Sequence, residues 1–271
     1  MAAMSSIARS SIPSSWRRVN DATSFVASTC LVVSFCFFGD VWMTKAQYTY
    51  IEDYMLECMR DSAHDKAHVY RVLYMALAIA REQRDVDLDI LTAACLLHDI
   101  GRPEQFSDPH VCHALAGGEK AYRFLLGLEW TENRAGRVRA CVQSHRYRGD
   151  NPPSTLEAKI LFDADKLDVA GAIGIARTFL YIGQVSGSLY SLNDDGRVLD
   201  GTTDTEPSFF HEYKFKLEKL YDGFYTPVAR QMAERRRHAA TEFYAAMLDE
   251  VVSCHELGKS CLDDMLAVPG L

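Results

Sequence analysis

Leu96-Leu97-His98-Asp99-Ile100-Gly101-Arg102 is the stretch on which the reading of this chain turns. His98 and Asp99 end an apolar helical run, at a place where a core usually takes Leu or Ala. A charged carboxylate buried alone is very costly, so the pair needs a partner. Candidates lie on both sides. His68 is upstream, and Asp165 is downstream in Phe162-Asp163-Ala164-Asp165-Lys166-Leu167-Asp168. Two His and two Asp drawn from separate helices form a donor set suited to a divalent metal ion.

Working outward, nearly everything from about residue 46 reads as helix. Apolar positions at helical spacing (Val69, Val72, Leu73, Ala76, Leu77, Ala80) mark a helix over 65–84. Others are expected over 47–60, 89–99, 109–127, from Thr131 to about 145, and over 171–184, 208–223 and 226–256. Asp87 or Asp89 caps the helix that carries His98, which closes at Gly101 and Pro103. Ser154 with Glu157 reads as a capping box for the helix that carries Asp165. Thr226 and Pro227 read as the cap and first residue of the last helix. No alternating pattern of useful length suggests strands, so the fold class is all-α. The long polar segment 186–207 is a loop, read here as a lid over the site.

Composition bounds the function. At 271 residues the chain has room for an ample core, and 48% hydrophobic with 24% charged residues is ordinary for a globular protein. A net charge of −8 argues against binding nucleic-acid polymers, which calls for a basic face. The eight Cys include no C-x-x-C pair, so neither a zinc ribbon nor a disulfide framework is expected, and a reduced, cytoplasmic setting fits. Residues 1–20 are Ser-rich and basic, and 22–39 carry no charge. Three readings stand for 1–42: translation begins at Met43, the segment is for targeting or weak anchoring (the only route by which a membrane would become a partner), or it is a structural helix. The domain is taken as 43–271.

Within the candidate site, His64 and His68 are four apart and share a face, and Arg71 is three from His68. Asp165 and Asp168 share a face, whereas Asp163 sits roughly opposite, so Asp165 is the better metal ligand. Arg235-Arg236-Arg237 reads as a solvated helix face, and the aromatic residues from Phe209 to Tyr225 as core or dimer packing, which leaves a homodimer open.

His68, His98-Asp99 and Asp165 resemble the H…HD…D signature of the HD-domain superfamily of metal-dependent phosphohydrolases. The likeness extends to His64-Asp65-Lys66-Ala67-His68-Val69-Tyr70-Arg71-Val72, to Ala164-Asp165-Lys166-Leu167-Asp168, to the run from Gly171 to Arg177 and to that from Phe210 to Leu217. It covers about residues 47–250 and is similar to a bacterial branch of uncharacterised HD hydrolases. The resemblance implies His68, His98, Asp99 and Asp165 as ligands of Mn²⁺, Mg²⁺, Fe²⁺, Co²⁺, Ni²⁺ or Zn²⁺. It implies Arg71, Arg102, Lys166, Asp168 and Arg177 around a small phosphorylated substrate, a nucleotide by analogy. Asp99, His113 and His145 are the catalytic candidates, the two histidines serving proton transfer, phosphate binding or a second metal. The rival readings are a nucleotide-sensing module without catalysis and a di-iron oxygenase, which needs both His113 and His145 as ligands.

Overall fold

The computed structural model describes residues 43–59, 66–146 and 151–267. The N-terminal 42 residues and His64 therefore lie outside the described residues. The described residues are helical with no strands, and only two isolated bridges, Ser188 with Ser208 and Leu192 with Val198, occur among them. The helices are α1 (Lys45–Cys58), α2 (Lys66–Ala80), α3 (Leu88–Leu97), α4 (Arg102–Ser107), α5 (His113–Gly127), α6 (Glu132–Ser144), α7 (Leu156–Leu167), α8 (Gly171–Gln184), α9 (Phe209–Glu212) and α10 (Pro227–Leu266).

α3 is the hub. Ile90, Leu91, Ala93, Ala94, Cys95, Leu96 and Leu97 are all buried, which is the signature of a helix apolar all round and wrapped by others. Each fully buried Leu or Ile contributes roughly 1.5–3 kcal/mol. α1, α2, α6 and α7 pack around it, and α5 lies beside α6. His98 and Asp99 thus enter the core at the end of its most buried helix.

Polar clamps hold the wrapping helices in register. Asp87 is the cap of α3, accepting from the Ile90 amide at 3.1 Å. Glu157 of α7 accepts from the Asp87 amide at 3.0 Å and from Arg137 of α6 at 3.1 Å. Glu157 is therefore absorbed in an interhelix clamp and does not close a capping box with Ser154. The cap of α7 is the next residue, Thr155, whose hydroxyl accepts from the Ala158 amide. Asp163 lies on the other side of α7 from the site. Its carboxylate accepts from the Tyr225 amide at 2.8 Å and from the Thr226 amide and hydroxyl, both at 2.7 Å, which pins the start of α10.

Three further expectations change. The segment 208–223 is broken into α9, a π-helical turn (Tyr213–Leu217) and a 3₁₀ turn (Leu220–Asp222), because it follows the buried Phe209, Phe210, Tyr213, Leu217 and Tyr221 and not a regular period. Arg236 is no solvated charge: it donates to the Leu167 carbonyl and approaches the Met75 sulfur at 3.2 Å, tying α10 to α7 and α2. The polar loop is tethered along α10, not hung over the site. Tyr244 donates to the Asp200 carbonyl and His255 to that of Gly196, both at 2.7 Å, and Lys259 donates to the Asp195 carbonyl at 3.2 Å.

Gly101 joins the fold to the site. A Cβ there would lie 2.2 Å from the His113 carbonyl oxygen and 2.5 Å from the Gly117 nitrogen, so the turn after Asp99 meets α5 backbone to backbone. Gly101→Ala is expected to cost about 1–3 kcal/mol or more, lowering Tm by several degrees. Gly136, inside α6 with open space at its Cβ, is the contrast. Gly136→Ala is expected to raise Tm by a degree or two, from roughly 0.5–1 kcal/mol of helix propensity. Thermal melts of both variants check the pair, and equal effects would contradict the packing described.

Candidate metal centre

Helix ends build the site. His68 lies in the first turn of α2, His98 and His145 are the C-caps of α3 and α6, His113 opens α5, and Asp165 lies in the last turn of α7. The last carbonyls of a helix lack internal partners. On α3, His98 Nδ1 meets the Cys95 carbonyl at 2.7 Å, and on α6, His145 Nδ1 meets the Val142 carbonyl at 2.6 Å. A carbonyl can only accept, so Nδ1 carries the proton in both rings and Nε2 keeps its lone pair. The same capping device, used twice, aims two lone pairs at one point.

That point is Asp99. Its carboxyl is 1% exposed and its two oxygens face different groups. Oδ2 lies 3.7 Å from Nε2 of both His68 and His98, and Oδ1 lies 3.4 Å from His113 Nε2 and 3.7 Å from His145 Nε2. Asp165 Oδ1 completes the first group, 3.2 Å from His68 Nε2 and 4.0 Å from His98 Nε2. Two sets of convergent donors result: His68, His98 and Asp165 on one side, Asp99, His113 and His145 on the other. Asp99 spans both.

The donors fit a cation. Asp99 Oδ2 is buried without a hydrogen-bond partner, although a buried acceptor left unsatisfied is expensive. Around it stand the His98 lone pair and another carboxylate oxygen, acceptors turned towards an acceptor, and the His68 ring, which lies closer to Asp165, at 3.2 Å. A divalent ion satisfies such a cluster, and imidazole with carboxylate is a donor set common to first-row metals.

Titration follows the same geometry. Burial disfavours charge on His98 and lowers it to about 4. Burial, followed by the Arg102 charge, lowers His113 to about 3. Burial also opposes charge on His68, but hydrogen bonds to Asp165 and Asp168 outweigh it and raise this ring to about 9. Burial would raise Asp99, yet His98, His145 and Arg102 together hold it well below the usual carboxylate range.

The chain matches the HD domain family over residues 66–170. It is 31% identical to the uncharacterised protein YpgQ of Bacillus subtilis over 186 residues, 67% of this chain and 82% of that protein. The chain belongs to the HD-domain family. Among solved structures, a predicted HD superfamily hydrolase from an uncultured Thermotogales bacterium is 30% identical, with a TM-score of 0.52 over 74% of this chain and 91% of that one. An HD-superfamily hydrolase of Bacillus thuringiensis is 28% identical, with a TM-score of 0.60 over 76% and 96%. YpgQ has been solved in complex with ADP; it is 25% identical there, with a TM-score of 0.59 over 78% and 97%.

Within this HD domain the other candidate residues divide. Arg102 reaches the cluster, donating to Asp99 Oδ1 at 2.9 Å. Asp168 faces inward, behind His68. It accepts from His68 Nδ1 at 2.7 Å, from the Arg71 fork at 2.6 and 3.0 Å, and from Arg177. Its side chain is fully buried and orients the His68 ring. Lys166 turns the other way, donating to the Gly223 carbonyl at 3.2 Å between the Phe162 and Phe224 rings, and is not brought to the cluster. Two residues went unnoticed in the sequence: Gln105, 2.8 Å from His113 Nδ1, and Arg146, 3.2 Å from the same atom. Arg146 had a signal, since it follows His145 directly; Gln105 had none.

Because His68 titrates near about 9 without an ion, a cation arriving at pH 6–8 displaces one proton. Affinity is therefore expected to rise about tenfold per pH unit below 9 and to level off above it. Calorimetric titration with Mn²⁺ in buffers of different ionisation enthalpy counts that proton. Asp168→Asn, which leaves the fork and the imidazole without their anion, is expected to weaken Mn²⁺ binding by about 10–100-fold.

Proposed function

We propose that the protein is a metal-dependent phosphohydrolase cleaving a phosphoester or phosphoanhydride bond of a nucleotide, with nucleoside triphosphate pyrophosphohydrolysis favoured over monophosphatase or cyclic phosphodiesterase action. The observation that carries this reading is Asp99, one buried carboxylate with three-donor sets at both oxygens and guanidiniums at the edge. Relatives called HD-superfamily hydrolases support the reaction class, and the ADP complex of YpgQ supports the nucleotide.

His68, His98, Asp99 and Asp165 would hold one divalent ion, and His113 and His145 with the other oxygen of Asp99 a second. When bound, such an ion supplies Lewis acidity towards a phosphoryl oxygen and lowers the pKa of water. The chain's own groups do the rest. Asp168 fixes the tautomer of His68 and holds Arg71 and Arg177 as a rigid, partly exposed cationic pair. Arg102 and Arg146 stand on the opposite side, and planar guanidiniums match phosphate oxygens two at a time. His113, lowered to about 3, is too weak a base for neutral pH, which favours lone-pair donation over proton transfer.

Two donor triads also suit a di-iron oxygenase, the second reading. Four arginines bordering the centre favour an anionic substrate and hence hydrolysis. A non-catalytic sensor is disfavoured by the intact ligand set.

The test is release of phosphate or pyrophosphate from nucleoside mono-, di-, tri- and cyclic phosphates with Mn²⁺, Mg²⁺, Co²⁺ or Ni²⁺. The expected outcome is metal-dependent release that falls by at least about 10³-fold in Asp99→Ala. Silence of the folded, metal-loaded protein across the panel would overturn the nucleotide assignment, and an iron-dependent absorbance with oxygen uptake would replace it with the second reading.

A further inference from the structure

The two donor triads differ in what surrounds them. On the first side, Asp99 and Asp165 bring two negative charges, enough to neutralise one divalent ion. Asp168, just behind, is already matched by Arg71 and Arg177. On the second side, among the described residues, the carboxylate in the triad is Asp99 again, shared with the first ion. Its Oδ1, the oxygen that faces His113 and His145, is already taken by Arg102 Nε at 2.9 Å. Arg146 adds a second positive charge, with Nη1 3.2 Å from His113 Nδ1. Once the first ion is in place, a second meets an Asp99 oxygen that Arg102 already holds, and no further carboxylate joins the triad among the described residues.

Arg102 is also able to leave. It is the first residue of the short helix α4, and its side chain is 26% exposed, so the guanidinium can turn towards solvent while the Cα stays fixed by the Gly101–α5 contact. A phosphate dianion offers it a better partner than a carboxylate shared with two imidazoles and an ion, because a guanidinium fork pairs with phosphate bidentately. The anion would in addition supply the negative charge the second triad lacks.

We infer that Arg102 closes the second triad to cations until an anion draws its guanidinium away, so that the second divalent ion enters only together with a phosphate-bearing ligand. This rests on the metal-centre part of the proposed function and not on turnover. The chain is thereby spared a tight dinuclear centre at rest, and completion of the site is tied to the arrival of the group it is to act on.

The experiment counts ions. The full chain is dialysed against Mn²⁺ with and without millimolar inorganic phosphate. Bound metal is measured by mass spectrometry, and coupling between two Mn²⁺ ions by electron paramagnetic resonance. Wild type is expected to hold one ion per chain without phosphate and a coupled pair with it. Arg102→Gln is expected to hold the pair in both conditions, with the second ion bound on the order of tenfold tighter or more without phosphate, as for removal of a like charge at this range. Arg102→Lys, which keeps the charge but not the fork, is expected to hold one ion without phosphate and controls for folding, and His145→Ala added to Arg102→Gln returns the count to one. Two equally tight ions in wild type without phosphate, or a single ion in folded Arg102→Gln under every condition, would overturn the inference. Loss of all turnover with these counts intact would leave it standing and overturn only the hydrolase reading.

Discussion

A carboxylate placed at the end of a completely buried helix must be compensated, and around Asp99 the protein does most of this with groups that cannot donate. His98 and His145 have spent their ring protons on the carbonyls of their own helices, and Asp165 is another anion. Arg102 alone gives Asp99 a guanidinium, and only at one oxygen. The other oxygen is left without a hydrogen-bond partner. Such a centre could hold a cation, and the surrounding helices bring its parts together. α3 is apolar and buried over most of its surface, which carries His98 and Asp99 to the middle of the core. α5 must touch the turn at Gly101 because His113 has to arrive opposite Asp99 Oδ1.

Helix ends are well suited to this work. A histidine at a C-cap satisfies an orphan carbonyl and orients itself in the same act, so no separate acceptor is needed to hold the ring. Two of the four imidazoles are fixed this way, whereas His68, the third residue of α2, has no such carbonyl. It relies on Asp168 from α7, and Asp168 in turn relies on Arg71 and Arg177. The cationic edge of the site is thus a by-product of orienting one ligand.

Much of this was legible in the sequence. Periodicity located most helices, because amphipathic faces at 3.6-residue spacing are local properties. It missed α4, where Pro103 reads as a stop and in fact sits in the first turn, and it smoothed over the break after α9. His98 and Asp99 stood out because a His-Asp pair among Leu residues departs from the core pattern, and the structure brings His68 and Asp165 beside them as candidate donors. The opposed placement of Asp163 and Asp165 also followed from two-residue spacing, with Asp163 going to the start of α10. Charge was harder to read. Lys166, Asp168 and Arg236 look alike as ionisable residues near a motif, and their destinations (a carbonyl with two rings, the back of His68, a helix terminus) depend on partners 57 to 100 positions away in sequence. No local pattern encodes such pairings.

The same limit explains why His113 and His145 could not be assigned from sequence alone. Each is an ordinary helix-end histidine until Asp99 is seen to have two oxygens with separate surroundings. One carboxylate serving two triads is economical, but it means that the second triad brings no negative charge of its own. A site assembled from neutral imidazoles and a shared anion binds a cation only as well as its neighbours permit, and Arg102 and Arg146 are the neighbours here. The asymmetry between the two halves of the centre is therefore a matter of charge more than of donor geometry. That places control of the second half with the arginines rather than with the ligands.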